Sequence, residues 1–211
     1  MAGILASQAF VEFSTLLILA LTVGLAIIMS YRYVRNRSKS LLYWSAGMWL
    51  FAVGVLLEVI FAFGIYSEFL IALYLFVVAM VVESLAIGSM QLVKSSRLRA
   101  SYYIYSIIAA VLLAYSLYSS NIVNVITNHI VFGFLPLSVV ITSSIVTFPA
   151  AAILIAIAAI SYLRSHNVKM LSIIAGVVVV SVAGTLYIAA IPAFLYYSEF
   201  IGILLLWLGF I

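Results

Sequence analysis

Seven runs of predominantly apolar residues, separated by short polar connections, cover approximately 8–31, 41–63, 69–93, 102–119, 138–163, 170–190 and 193–211. A helix needs about 20 apolar residues to cross roughly 30 Å of hydrocarbon. The runs are too long for buried strands and lack the two-residue alternation of a lipid-facing barrel strand. The pattern predicts an all-α integral membrane protein with seven transmembrane helices, multi-pass in the cell membrane and bathed in membrane lipids.

The polar connections are unequal. All nine cations fall into three of them: Arg32, Arg35, Arg37 and Lys39, then Lys94, Arg97 and Arg99, then Arg164 and Lys169. By the positive-inside rule these connections are cytoplasmic, which puts the N-terminus outside and, after seven crossings, the C-terminus inside. Glu12, Glu68 and Glu199 then map near the outer face. No basic residue precedes the first apolar run, so the first helix is expected to persist rather than to be removed as a signal peptide.

Residues 29–69 laid over 160–200 bring several features into register. Ala46-Gly47 meets Ala175-Gly176, Gly54 meets Gly184, and Tyr66-Ser67-Glu68-Phe69 recurs as Tyr197-Ser198-Glu199-Phe200. Both copies start outside and run the same way, so the chain reads as a single domain with a 3+1+3 parallel repeat. Repeat A covers about 8–94, a linker helix about 102–119, and repeat B about 138–211. The segment 120–137 between them is too apolar for a solvated loop and predicts an interfacial helix or a docked cap. Pro136 suits the first turn of the fifth helix, whereas Pro149 lies well inside it and is expected to kink it.

Composition removes whole classes of chemistry. Of 211 residues 68% are hydrophobic and 7% charged, with a mean hydropathy of +1.39, which excludes an ordinary soluble domain. The five acidic residues are all Glu, there is no Cys, and the two histidines, His129 and His166, lie outside the long apolar runs. Thiol redox chemistry, Cys-ligated clusters, disulfides and an aspartyl dyad are thereby excluded. No catalytic residue, metal ligand or cofactor is assigned, and no enzyme is expected. The net charge of +4 is topological in its placement, so nucleic acid is not an expected partner.

Glu58 and Glu83 are the ionisable residues placed within the apolar spans, where a carboxyl group is costly enough to suggest a role. Counting from the basic ends of their helices puts them about 25 Å and 16 Å up, near enough in depth for one polar track. Each is expected either to be neutral and hydrogen-bonded or to face water, and either can serve proton handling or packing. Gly47, Gly54 and Glu58 share one helical face that another helix can approach closely, and Gly176 and Gly184 repeat that face without the carboxylate. Thr142, Ser143, Ser144 and Thr147 are candidates for interhelical packing or a hydrophilic path. Tyr43, Trp44, Tyr102, Tyr103, Tyr196 and Tyr197 read as an aromatic belt.

Seven helices with the N-terminus outside resemble microbial rhodopsins in plan, but Lys39, Lys94 and Lys169 all lie at connections, so no retinal is expected. The plan and length also resemble the SWEET sugar transporters, without their Pro-Gln pairs. The stretch from Arg32 to Glu58 is loosely similar to seven-helix sensor regions of prokaryotic histidine kinases. No family follows from these likenesses. The least demanding functional expectation is a non-catalytic subunit packed among other integral membrane subunits in a larger complex. The alternatives are a small-solute carrier, proton-coupled if Glu58 or Glu83 takes part, and a sensor or receptor-like module.

Overall fold

The computed structural model describes residues 8–120, 122, 126–127, 130–131, 135–188 and 192–210. Seven α-helices follow one another: α1 (Gln8–Asn36), α2 (Lys39–Ala62), α3 (Glu68–Met90), α4 (Ser96–Ser119), α5 (Leu137–Ser165), α6 (Val168–Ile188) and α7 (Pro192–Phe210). Five of them, α1 to α5, are long and apolar enough to cross a membrane. The described side chains of α6 and α7 form shorter apolar stretches, Val168–Val179 and Tyr197–Phe210.

The helices outrun the apolar runs at their charged ends. Arg32 and Arg35 belong to α1, Lys39 opens α2, Arg97 and Arg99 lie in α4, Arg164 in α5 and Lys169 in α6. Only Arg37 and Lys94 sit in the connections proper. This corrects the placement of the cations in loops. Arg and Lys are good helix formers with long side chains, so the backbone continues as helix past the apolar stretch while their charges reach polar surroundings.

Between α4 and α5 the expected interfacial helix is replaced by a small hairpin, in which β1 (Ile126–Thr127) pairs antiparallel with β2 (Ile130–Val131). Thr, Ile and Val are β-branched and favour extended backbone. The hairpin docks on α2 through β2. Ile122 just before it is buried, and its N–H donates to Glu68 Oε1 at 3.4 Å. The described residues of the segment thus dock on the bundle. His129 lies outside the described residues.

Neighbouring helices make a ring in the order α1, α2, α3, α5, α6, α7, closed by contact between α7 and α1, with α4 outside against α3 and α5. The basic connections and the end of α7 gather at one end of the bundle. Ser40 Oγ at the start of α2 donates to Gly88 O at the end of α3 at 2.7 Å, and Arg32 of α1 donates to the carbonyl of Phe210. Between them, Trp44 packs its ring on Phe210 at 5.2 Å between centroids and donates Nε1–H to Leu85 O at 3.2 Å.

The glycine face of α2 receives α3. A Cβ on Gly47 would lie 3.0 Å from Leu85 Cδ2, one on Gly54 would lie 3.4 Å from Val78 Cγ2, and one on Gly176 would lie 3.2 Å from both Leu205 Cβ and Leu206 Cγ of α7. Tightest are two glycines not singled out by the repeat: Gly88, where a Cβ would overlap the Trp44 ring, and Gly209, where one would overlap the Ile173 side chain. Gly184 is in α6, but its surroundings lie outside the described side chains.

Alanine substitutions should rank accordingly. Gly88→Ala is expected to destabilise most, by about 1–3 kcal/mol as overpacking does, Gly47→Ala less, and Gly54→Ala least. Thermal unfolding of the three variants in one detergent checks the order, and a Gly88→Ala protein as stable as the parent would contradict the packing described.

Candidate functional site

A polar group inside a bilayer must find its partners within the protein, so each buried carboxyl group can be followed to its donors. Glu83 of α3 is fully buried. Its Oε2 accepts from Tyr102 Oη at 3.1 Å, and its Oε1 accepts from Ser106 Oγ. Both donors stand on α4 one turn apart, so they reach the same carboxyl group. Glu83 is satisfied at both oxygens and fastens α4 to α3.

Tyr102 stacks on Tyr105 at 6.0 Å and 23°, and Tyr105 points the other way, donating its hydroxyl to the carbonyl of Ile145 on α5. That carbonyl is the one freed by Pro149, which lacks the N–H that residue 149 would otherwise give to residue 145. Helix α5 runs through Pro149 from Leu137 to Ser165, with the lost backbone bond replaced from α4. Adjacent tyrosines of α4 therefore hold α3 on one side and α5 on the other.

Glu58 behaves differently. It is 3% exposed, and its Oε1 accepts from Tyr74 Oη of α3 at 2.6 Å, while Phe61 meets the Tyr74 ring edge-on at 5.7 Å. Across the bundle its carboxyl group lies beside that of Glu199 on α7 and interacts with it, and Glu199 is itself 7% exposed. Glu58 Oε2 and Glu199 Oε2 are buried and receive no N–H or O–H from the protein. Two carboxyl groups hydrogen-bond to each other only through a proton carried by one of them, because adjacent like charges do not both persist.

The arrangement divides the predicted residues. Glu58 and Glu83 are both buried, but they belong to separate networks rather than to one polar track. Glu68 is exposed at the start of α3. Glu199, expected near the outer face with Glu12 and Glu68, lies within α7 and is buried. The two Tyr-Ser-Glu-Phe tetrapeptides are therefore not equivalent: Ser67 caps α3 through the Leu70 N–H at 3.3 Å, whereas Ser198-Glu199 lies well within a helix.

The hydroxyl cluster of α5 turns on its own backbone. Thr142 donates to Ser138 O at 2.8 Å, Ser143 to Val140 O at 3.1 Å and Thr147 to Ser143 O at 2.9 Å. Trp44 and Tyr102 serve internal contacts rather than the aromatic belt. A signal for Glu199 was present: Glu199, Ile203, Leu206 and Phe210 recur at helical spacing, and all four are buried. No known family model, curated protein or solved structure matches the chain.

The two carboxyl networks should respond differently to mutation. Tyr105→Phe, which leaves the Ile145 carbonyl without a donor, and Tyr102→Phe are each expected to cost about 0.6–1.7 kcal/mol, the range of hydrogen bonds between membrane helices. A double-mutant cycle on Tyr102→Phe and Glu83→Gln should return a coupling energy of at least about 0.5 kcal/mol by reversible unfolding. Additive effects would place Tyr102 outside the Glu83 network.

Proposed function

We propose that this chain is a small-solute carrier of the 3+1+3 plan, with its N-terminus outside, its C-terminus cytoplasmic, and α4 as the link between two three-helix halves. The observation that carries the reading is the Glu58–Glu199 pair, a buried and incompletely satisfied carboxyl pair that joins the two halves across the bundle interior. A carboxyl group kept solely for packing is better served by the two hydroxyl donors that Glu83 has.

The packing supports the repeat from another direction. Contacts α1 with α2, α2 with α3 and α3 with α5 are matched in order by α5 with α6, α6 with α7 and α7 with α1, as a two-fold axis along the membrane normal would require. Gly47 against Leu85 and Ser84 has its counterpart in Gly176 against Leu205 and Leu206. This second match moves the helix 3 and helix 7 equivalence about ten residues away from the tetrapeptide register. It is the better guide, because it follows contacts rather than letters. Basic residues gathered at one end of the bundle support the orientation.

The accessory-subunit reading would draw on the exposed apolar faces of the helices. The glycine faces described are occupied within the chain, but α4 turns Ile104, Ile107, Ile108, Val111 and Tyr115 outward, toward lipid or another membrane protein.

Purified protein in liposomes loaded with the pH dye pyranine, challenged in turn with sugars, amino acids, alkylamines and carboxylic acids, tests the carrier. At least one class should produce a protein-dependent flux, reduced at least about tenfold by Glu58→Gln or Glu199→Gln, a loss of about 1.4 kcal/mol in transition-state stabilisation. Glu83→Gln should retain most of it. Absence of flux with all four classes, together with stoichiometric co-purification of other membrane proteins in mild detergent, would replace the carrier with the subunit.

A further inference from the structure

The helices that meet at the carboxyl pair meet again at the other end of the bundle. Near the basic connections α2 touches α7 through Trp44 and Phe210, and Arg32 of the intervening α1 holds the Phe210 carbonyl. Toward the opposite end they meet through Glu58 and Glu199. From Trp44 to Glu58 is about 21 Å along α2, and from Phe210 to Glu199 about 16 Å along α7. The two contacts are chemically unlike. The first uses ring packing and a guanidinium hydrogen bond to a backbone carbonyl, whereas the second needs a proton that can leave.

We propose that the Glu58–Glu199 pair is a proton-operated latch: one proton held between the carboxyl groups joins α2 to α7 away from the basic connections, and its loss parts them. This rests on the carrier reading for its purpose, which is to tie opening at that end to proton movement. In the step itself the O–H bond of the protonated carboxyl group breaks, its electron pair stays on oxygen, and the proton passes to water. Two facing carboxylates then repel at short range in a medium of low dielectric. Tyr74 donates to Glu58 Oε1, while the buried Glu58 Oε2 and Glu199 Oε2 have no hydrogen-bond partner among the described residues.

Few groups could disturb this chemistry. Tyr74 on α3 is the other titratable side chain acting on the pair among the described residues. Helix α1, packed against both α2 and α7, carries Glu12 toward the same end, and Glu12 is not among the groups acting on either carboxyl group.

The absence of Cys allows the latch to be read directly. Phe63, the residue that follows α2, and Ile201 of α7 are exposed and flank it, so spin labels on Phe63→Cys and Ile201→Cys, in the full chain in lipid nanodiscs, report its width by pulsed electron resonance. Raising the pH should convert a short distance into a longer one, with the ratio of the two changing by at most about tenfold per pH unit for one proton. Labels on Val34→Cys and Leu208→Cys, at the basic end, should not move. In Glu199→Gln the amide N–H takes over as donor to Glu58, and the short distance should persist at every pH.

A wild-type distance that ignores pH, or a Glu199→Gln protein that still titrates like wild type, would overturn the latch. Should that variant fail to fold, infrared difference spectra of the wild-type protein decide: the carbonyl band of a protonated carboxyl group must disappear in step with the distance change, and a change without it overturns the proposal. A working latch in a protein that moves no solute would remove the carrier and keep the latch, and transport with pH-independent distances would do the reverse.

Discussion

In hydrocarbon a hydroxyl or carboxyl group has no water to turn to, and this bundle is organised by where each finds a partner. The α2–α3 pair shows it most densely. Ser40 donates to Gly88 O, Ser84 donates to Tyr43 O at 2.9 Å, and the Trp44 indole donates to Leu85 O, with Gly47 and Gly88 admitting the close approach that these bonds need. Ser172 of α6 repeats the device on Leu205 O of α7 at 2.7 Å. Apolar contact alone gives lipid-solvated helices little reason to prefer each other over lipid. Directional bonds between small-residue faces supply that preference.

The same constraint separates two kinds of buried carboxyl group. Glu83 has a donor for each oxygen and is finished as a structural element. Glu58 and Glu199 share three identifiable acceptor demands, at Glu58 Oε1, Glu58 Oε2 and Glu199 Oε2, against one phenolic donor. The shortage is met by a proton, which is the one donor that the surroundings can add or withdraw without moving a side chain.

Much of this was legible in the sequence. Helix positions followed from run length to within a few residues, because nothing but a helix or closed barrel satisfies the backbone in lipid. Gly47, Gly54 and Glu58 shared a face, as spacing required. What failed was depth and partnership. Glu199 was placed near the outer face from the distribution of cations, which says nothing of whether a side chain turns inward; the buried stripe through Ile203, Leu206 and Phe210 was the better indicator. Tyr102 and Trp44 sat near span ends like belt residues, yet a tyrosine near an interface can equally turn inward when a carboxyl group lies within reach. The bond from Tyr105 to Ile145 joins residues forty apart and was invisible without the helix order, although Pro149 announced that a carbonyl would need a donor.

That bond has a mechanical corollary. The stacked tyrosines of α4 grip α3 at Glu83 and α5 at Ile145 within one helical turn of each other. Along α3 this tie stands about 10 Å from the basic end and about 22 Å from the other. Arg32 and Trp44 hold Phe210 at the basic end as well, so these ties crowd toward that end, and the longer arm of the bundle is the one in which Glu58 and Glu199 meet.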